Sequence, residues 1–256
     1  MNYLAGFLVE GDRFLVLMAR LAGISFIPLF NTRNIPLQWR VFFLLALTFF
    51  AWFLGLANTF TVNLQLPAYS LVIITELLTG IAMALVIQFF FAGVQLAGQL
   101  IDTQMGFGIM NVVDPLIGTQ TPLLGNFKFI LAILLFLQID GHHYFIKALF
   151  DSYELVPIGS CVFLDSYFIE NYLSYFGKLF IVGCKFGMPI VGTLLVTDFV
   201  MGIMARTVPQ MNIFMVGMPI KILIGFFVLL ITIPFYIYIL NLSFCDLFQK
   251  IYNLFR

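Results

Sequence analysis

Ionisable side chains inside apolar segments are the first chemical signal in this sequence. Six of them interrupt otherwise hydrophobic runs: Arg20, Glu76, Lys178, Lys185, Asp198 and Lys221. A charge at the centre of a lipid-facing helix costs about 2.5 to 3.5 kcal/mol, so each one needs a partner, a water-lined cavity or a protein neighbour. Lysines near a helix end can instead reach the membrane surface with their long stems, an alternative that stays open for Lys178 and Lys221.

A second polar feature is a stripe on one predicted helix. At 100° per residue, the side chains of Gln88, Gln95, Gln99 and Asp102 fall within about 60° of one another. Lipid cannot satisfy the hydrogen bonds of such groups. We therefore expect protein or water beside this stripe.

A third feature is the segment 106–122, which is rich in both glycine and proline yet strongly apolar. Glycines and prolines at this density interrupt helices and strands. An apolar loop between membrane helices must pack in a protein interior, which makes it a functional candidate. Its candidate residues are Gly106, Phe107, Gly108, Ile109, Met110, Asn111, Asp114, Pro115, Gly118, Thr119, Gln120 and Pro122.

The sequence carries few signals for catalysis or metal binding. Its only histidines, His142 and His143, are adjacent, so we expect their rings to point apart on a helix and predict no metal site. Nucleophile-elbow, phosphate-loop and dinucleotide motifs are missing, and three scattered cysteines form no metal or redox pattern. We predict no enzyme and no cofactor; an intramembrane enzyme using residues 140–143 is the weakest alternative.

The composition indicates the environment of the secondary-structure elements that must position these residues. Of 256 residues, 62% are hydrophobic and 9% are charged, against about 25% charged in a soluble domain. The mean hydropathy is +1.07. Twelve basic residues balance twelve acidic ones, which argues against a nucleic-acid partner. The chain is predicted to be an integral membrane protein.

The pattern along the chain predicts an all-α, polytopic fold with about six long hydrophobic helices, some of them broken. They cover residues 14–30, 41–57, 69–101, 123–139, 172–200 and 213–240. A short amphipathic helix is predicted at 144–155 and an amphipathic tail helix at 241–256. Only the second and sixth helices have a composition that suits lipid on every side, so we infer that the chain is a subunit of a larger assembly.

Three motif blocks carry a resemblance to a known family. IDTQMGFGIMNVVDP, DGHH followed by SYELVPIG, and RTVPQMNIFMVGMPIKI occur in that order. In length and in motif order the chain resembles, nearly end to end, the FliR/SctT family of type III export-gate proteins. The resemblance is closer to the flagellar members than to the virulence-type ones.

The resemblance implies a non-enzymatic core subunit of the flagellar export gate, which forms and plugs the pore for unfolded flagellar proteins. It implies a single copy assembled with FliP-like and FliQ-like subunits, with FlhB-like and FlhA-like components, in the bacterial inner membrane and flagellar basal body. Residues 1–171 would be FliP-like, residues 172–256 FliQ-like, and 106–122 the plug. The subunit-interface or buried polar residues would be Glu76, Gln88, Gln95, Gln99, Lys185, Asp198, Arg206 and Lys221.

Two alternatives stay open. Broken helices, buried charges and the repeated tetrapeptide GMPI at 187–190 and 217–220 also suit a secondary transporter for a small solute. The segment 106–122 is also compatible with a packing loop that does not move.

Overall fold

The computed structural model describes residues 2–31, 35–57, 66–109, 122–160, 166–208, 210 and 212–253, and regular structure there is helical throughout. The α-helices of these ranges are α1 Asn2–Leu21, α2 Leu37–Phe53, α3 Leu66–Met105, α4 Leu123–Gln138, α5 Gly141–Leu155, α6 Ser166–Thr207 and α7 Ile213–Asn253. Short 3-10 helices lie at Ala22–Phe26 and Phe107–Ile109.

Three of the helices have stretches long and apolar enough to cross a membrane, judged by length and composition within the described residues. These stretches are Pro67–Met105, Ile169–Thr207 and Met215–Gln249. Helices α4 and α5 pass the same test as a pair bent by 65°. The all-α, polytopic prediction is confirmed.

The helix predictions agree with the structure, with two corrections. The first helix, predicted at 14–30, is wrong: α1 begins at Asn2 and ends at Leu21, a 3-10 helix follows at Ala22–Phe26, and Ile27, which precedes Pro28, is extended. Helix α5 ends at Leu155 as predicted, because Pro157 and Gly159 follow it. The separate tail helix is wrong: α7 runs without a break from Ile213 to Asn253. Neither glycine nor proline occurs in 241–253 to interrupt it, and Phe244 and Leu247 are buried.

The chain forms two compact units, each assembled from separate stretches. Unit 1 contains Met1–Phe89, Asp140–Phe176 and Cys245–Arg256, and unit 2 contains Phe90–Ile139 and Gly177–Phe244. This division shows only which stretches of the chain pack together compactly. The predicted likeness of 1–171 and 172–256 to two different subunits is a separate statement and stays a prediction.

Unit 1 buries an apolar face of α1 together with parts of α3 and α5. Leu17, Leu21, Ile87, Phe145 and Leu149 are all fully buried. Burial of such side chains stabilises a core by about 1.5 to 3 kcal/mol each. This core surrounds the charged residues of α1 and α3 described below.

Unit 2 is centred on an aromatic cluster. The Phe244 ring centroid lies 4.6 Å from that of Phe90, 5.9 Å from that of Phe91 and 5.5 Å from that of Phe136. A second buried cluster joins Ile101, Met105, Leu124, Ile190, Leu194 and Leu229. Together they fix the ends of α3 and α4 against α6 and α7.

Candidate functional site

The buried charges of unit 1 form an ion pair between α1 and α3. Arg20 Nε donates to Glu76 Oε2 at 2.6 Å, and the side chains are 0% and 1% exposed. The expectation that each charge in an apolar segment needs a partner is confirmed here. The two residues satisfy one another.

The last turn of α5 and the segment that follows it complete the coordination of this pair. Arg20 Nη1 donates to the Ser152 carbonyl at 2.8 Å, and Nη2 donates to the Val156 carbonyl at 3.0 Å. The Gly159 N–H donates to Glu76 Oε1 at 3.0 Å. The SYELVPIG motif therefore encloses the pair with backbone groups.

Aromatic and glycine contacts hold the same helices together. The Arg20 guanidinium carbon lies 4.3 Å from the centroid of the Tyr153 ring, whose hydroxyl donates to the Leu17 carbonyl at 3.0 Å. Gly23 and Gly80 meet backbone to backbone: a Cβ on Gly23 would overlap the Gly80 carbonyl, and one on Gly80 would overlap that of Arg20. Only glycine allows this approach.

In unit 2, Asp102 caps a helix that is distant in sequence. Its carboxylate accepts hydrogen bonds from the N–H groups of Leu124, at 3.0 and 3.1 Å, and Gly125, at 3.1 Å. Pro122 at the start of α4 makes no side-chain cap. The first N–H groups of a helix need acceptors, and Asp102 of α3 supplies them.

Lys128 of α4 is likewise buried and paired. Its ammonium donates to the Phe186 carbonyl of α6 at 2.7 Å and lies 5.0 Å from the Tyr236 ring centroid. The Tyr236 hydroxyl returns a hydrogen bond to the Lys128 carbonyl at 2.9 Å. Three helices of unit 2 are joined through this one side chain.

Another polar cluster links α3, α6 and α7. Lys221 forms an ion pair with Asp198, and Gln104 Nε2 donates to the other Asp198 oxygen at 2.7 Å. The side chains of Lys221 and Asp198 are 24% and 35% exposed. Unlike the pair in unit 1, this one is reached by solvent or lipid.

The described ends of the candidate loop lie directly beside these clusters. Met105 is fully buried, Phe107 packs on the cluster around it, and Gly106 has a φ of +91° that favours glycine. Gly108 and Pro122 are half-buried. Outside the described residues lie Met110, Asn111, Asp114, Pro115, Gly118, Thr119 and Gln120.

The remaining predicted polar residues differ in burial. Gln95 is half-buried and Gln99 is exposed. The Gln88 side-chain oxygen is buried without a hydrogen-bond partner among the described residues. Lys185 and Arg206 are exposed on α6. The backbone of α6 is described at Lys178, but the position of its side chain is not.

The histidines differ from the prediction. The ring centroids of His142 and His143 lie 4.1 Å apart, with 37° between the planes. The expectation that adjacent rings point apart is wrong, because both residues occupy the first turn of α5 and their side chains turn toward one another. His143 Nδ1 lies 3.2 Å from Asp140 Oδ1.

The sequence does not single out several of the residues that complete these clusters. They include Gln104, Lys128, Ser152, Val156, Gly159 and Tyr236. Backbone acceptors such as the Val156 carbonyl leave no pattern in a sequence. The SYELVPIG block stands out as a motif, but nothing in its spacing indicates that it binds Arg20 and Glu76.

Comparison with known proteins identifies relatives over most of the chain. Residues 12–246 match the family described as bacterial export proteins, family 1. The flagellar biosynthetic protein FliR of Bacillus subtilis (strain 168) is 35% identical over 212 residues, which cover 80% of this chain and 79% of the relative. That of Escherichia coli (strain K12) is 31% identical over 244 residues, which cover 93% and 88%.

A relative from a secretion system is more distant. The secretion system apparatus protein SsaT of Salmonella typhimurium is 27% identical over 146 residues, covering 57% of this chain and 56% of the relative. The family match runs from within α1 to within α7 and includes the charged sites described above. This chain therefore belongs to the bacterial export proteins, family 1.

Proposed function

We propose that this chain is a core subunit of a flagellar type III protein export gate. It forms the pore through which unfolded flagellar proteins pass and closes it with the loop 106–122. Its relatives named as flagellar biosynthetic proteins support this function. The observation that carries the closing role is the way both ends of the loop are fastened to unit 2.

The fastening joins the two ends of the loop to one another. Asp102, four residues before the loop begins, accepts hydrogen bonds from the Leu124 and Gly125 backbone just after it ends. Gly98 and Gly125 also approach so closely that a Cβ on Gly98 would overlap the Gly125 backbone. A loop with a fixed base can move or deform without disturbing the helices that carry it.

We propose that partner subunits cover the charges that unit 2 leaves exposed. Lys185 and Arg206 lie on the strongly apolar helix α6 and are exposed, and a charge that faces lipid there would be costly. FliP-like and FliQ-like subunits would bury them in a hetero-oligomer with one copy of this chain. Gln95, Gln99 and the apolar face of α6 would contribute to the same contacts.

FlhB-like and FlhA-like components complete the proposed assembly in the bacterial inner membrane and flagellar basal body. The chain takes no cofactor and performs no covalent chemistry in this proposal. Its polar clusters are occupied in holding helices together: Asp102 caps α4, Lys128 joins α4 to α6, and Asp198 joins α6 to α7. The proposed likeness of 1–171 and 172–256 to the two partner types fits a chain that mediates between them.

The test is ion conductance through the reconstituted complex. Residues 110–121 are replaced by a four-residue Gly-Ser linker, which leaves the described loop ends intact, and the complex with its partner subunits is placed in liposomes. We expect a large increase in sodium leak through the closed complex. The matched control replaces residues 58–65, between α2 and α3, in the same way and should leave the leak unchanged.

Native mass spectrometry of the same preparation checks that the altered chain still assembles. A correctly assembled complex without increased leak would contradict the closing role. Saturable uptake of a small solute by the purified chain alone would instead favour the transporter.

A further inference from the structure

Three side chains with metal-binding atoms converge at the bend between α4 and α5. Asp140, His142 and His143 each place one such atom so that all three lie within 4.8 Å of one another. We infer that these residues form a binding site for a divalent transition-metal ion of the zinc class. The inference is independent of the proposed export function.

The distances suit capture of an ion after a small adjustment. Zinc binds imidazole nitrogen and carboxylate oxygen at about 2.0 to 2.2 Å, so tetrahedral ligand atoms lie roughly 3.3 Å apart. The side chains of His143 and Asp140 are 70% and 67% exposed. Rotation of these exposed side chains closes the remaining gap without moving the backbone.

The backbone that carries the ligands is held firmly. The Asp140 carbonyl accepts hydrogen bonds from the N–H groups of His143 at 2.9 Å and Tyr144 at 3.1 Å. Two and six residues after His143, Phe145 and Leu149 are fully buried in unit 1. The first turn of α5 therefore presents its side chains from a fixed position, which favours binding.

One nitrogen of the His142 ring has unsatisfied bonding capacity. His142 Nδ1 is buried and has no hydrogen-bond partner among the described residues. Leaving a buried polar atom unpaired is unfavourable. A metal ion bound to this nitrogen would take the place of the missing partner.

The ligand set determines the class of ion. Two imidazoles and one carboxylate suit zinc and neighbouring first-row metals, whereas calcium and magnesium prefer a shell made wholly of oxygen. Three protein ligands leave a coordination position for water or for a donor from another molecule. The positive end of the α5 dipole disfavours a cation, and the negative charge of Asp140 offsets it.

The experiment is equilibrium dialysis of the full chain in detergent against zinc chloride, after purification through a tag that contains no histidine. We expect one zinc bound per chain. The variant with His142→Gln and His143→Gln should bind zinc at least about tenfold more weakly, since even the loss of a supporting group outside the ligand set has such an effect. Glu154→Gln, at an exposed carboxylate of the same helix, is the matched control and should bind as the unaltered chain does.

Cobalt supplies a second readout, because its visible spectrum reports the ligands directly. We expect weak d–d bands without thiolate charge-transfer bands, and we expect the bands to vanish in the double-histidine variant. Circular dichroism of that variant establishes that it is folded. Absence of bound zinc, equal binding by the folded variant, or displacement of zinc by equimolar calcium would each overturn the inference.

Discussion

The two units use ion pairs between helices in different ways. In unit 1, the side chains of Arg20 and Glu76 are fully buried, and backbone groups from 152–159 complete their hydrogen bonds. In unit 2, Asp198 and Lys221 pair on a partly exposed surface, with one further hydrogen bond from Gln104.

The difference in burial determines how much each pair contributes to stability. Removing one member of a fully buried pair leaves an uncompensated charge that nothing can solvate. Removing one member of a partly exposed pair leaves a side chain that solvent or neighbouring groups can still reach, so the cost is smaller. The pair in unit 1 is therefore a structural requirement, while the loss of the pair in unit 2 is better tolerated.

The largest expected effect follows from breaking the pair in unit 1. Replacing Glu76 with leucine should lower the free energy of unfolding by about 3 to 5 kcal/mol, because the Arg20 guanidinium stays buried without its counter-charge. Denaturant titration of the purified chain in detergent measures this. The double change Arg20→Met and Glu76→Leu should recover part of the loss. A loss below about 1 kcal/mol in the single variant would remove the distinction between the two pairs.

Asp102 provides an intermediate case, since it is buried and paired with backbone instead of with a cation. Asp102→Ala should cost about 1.5 to 3 kcal/mol, because it removes charge-assisted hydrogen bonds to the start of α4. Asp102→Asn keeps one acceptor oxygen and should cost less. The neighbouring exposed Thr103→Ala serves as the control, and a surface change of this kind should stay within about 0.5 kcal/mol. Denaturant titration measures the free energy of unfolding of each variant. Equal losses for Asp102→Ala and the control would contradict the capping role.

The glycine contact tests whether close helix approach maintains the pair in unit 1. Gly80→Ala should destabilise by about 1 to 3 kcal/mol, because its Cβ would overlap the Arg20 carbonyl and force the helices apart. Gly11, on α1, has open space around it, so Gly11→Ala should instead stabilise by about 0.5 to 1 kcal/mol. Thermal unfolding of the two variants compares them side by side. A loss of stability for Gly80→Ala together with a gain for Gly11→Ala supports the close approach of the helices. A gain in stability for both variants would contradict it.

The smallest effect is expected for the pair in unit 2. Asp198→Asn should change the free energy of unfolding by less than about 1 kcal/mol. Because the pair is partly exposed, raising the salt concentration should reduce the difference further. Exchanging the charges, with Asp198→Lys and Lys221→Asp, should restore the original stability. A salt-independent loss comparable to that of Glu76→Leu would show that the two pairs do not differ.

The sequence was most informative about helices. Long apolar runs predicted the helices, and Pro157 with Gly159 placed the end of α5 correctly. It was least informative about the last helix, where an amphipathic pattern after Leu240 suggested a new element although no residue interrupts the backbone. Periodicity reports which face is apolar, whereas a helix ends at breakers such as glycine and proline, which 241–253 does not contain.

For the candidate polar residues too, the sequence predicted some properties and not others. That Arg20, Glu76, Asp198 and Lys221 need partners followed from their residue types alone, because an isolated charge in an apolar helix is unfavourable whatever the fold. Their pairing did not follow, since Arg20 and Glu76 are 56 positions apart and several charges of suitable sign were available. The same holds for the histidines, whose convergence depends on side-chain rotation within one turn.

By itself the sequence determined that this protein is helical, apolar and dependent on neighbours for its charges, because composition and periodicity act locally. Only the tertiary structure decided that Glu76 belongs to Arg20, that Asp102 caps α4 from α3, and that Asp140 meets two histidines. These choices depend on which helices approach closely, and that depends on packing over the whole of each unit, which no local pattern records.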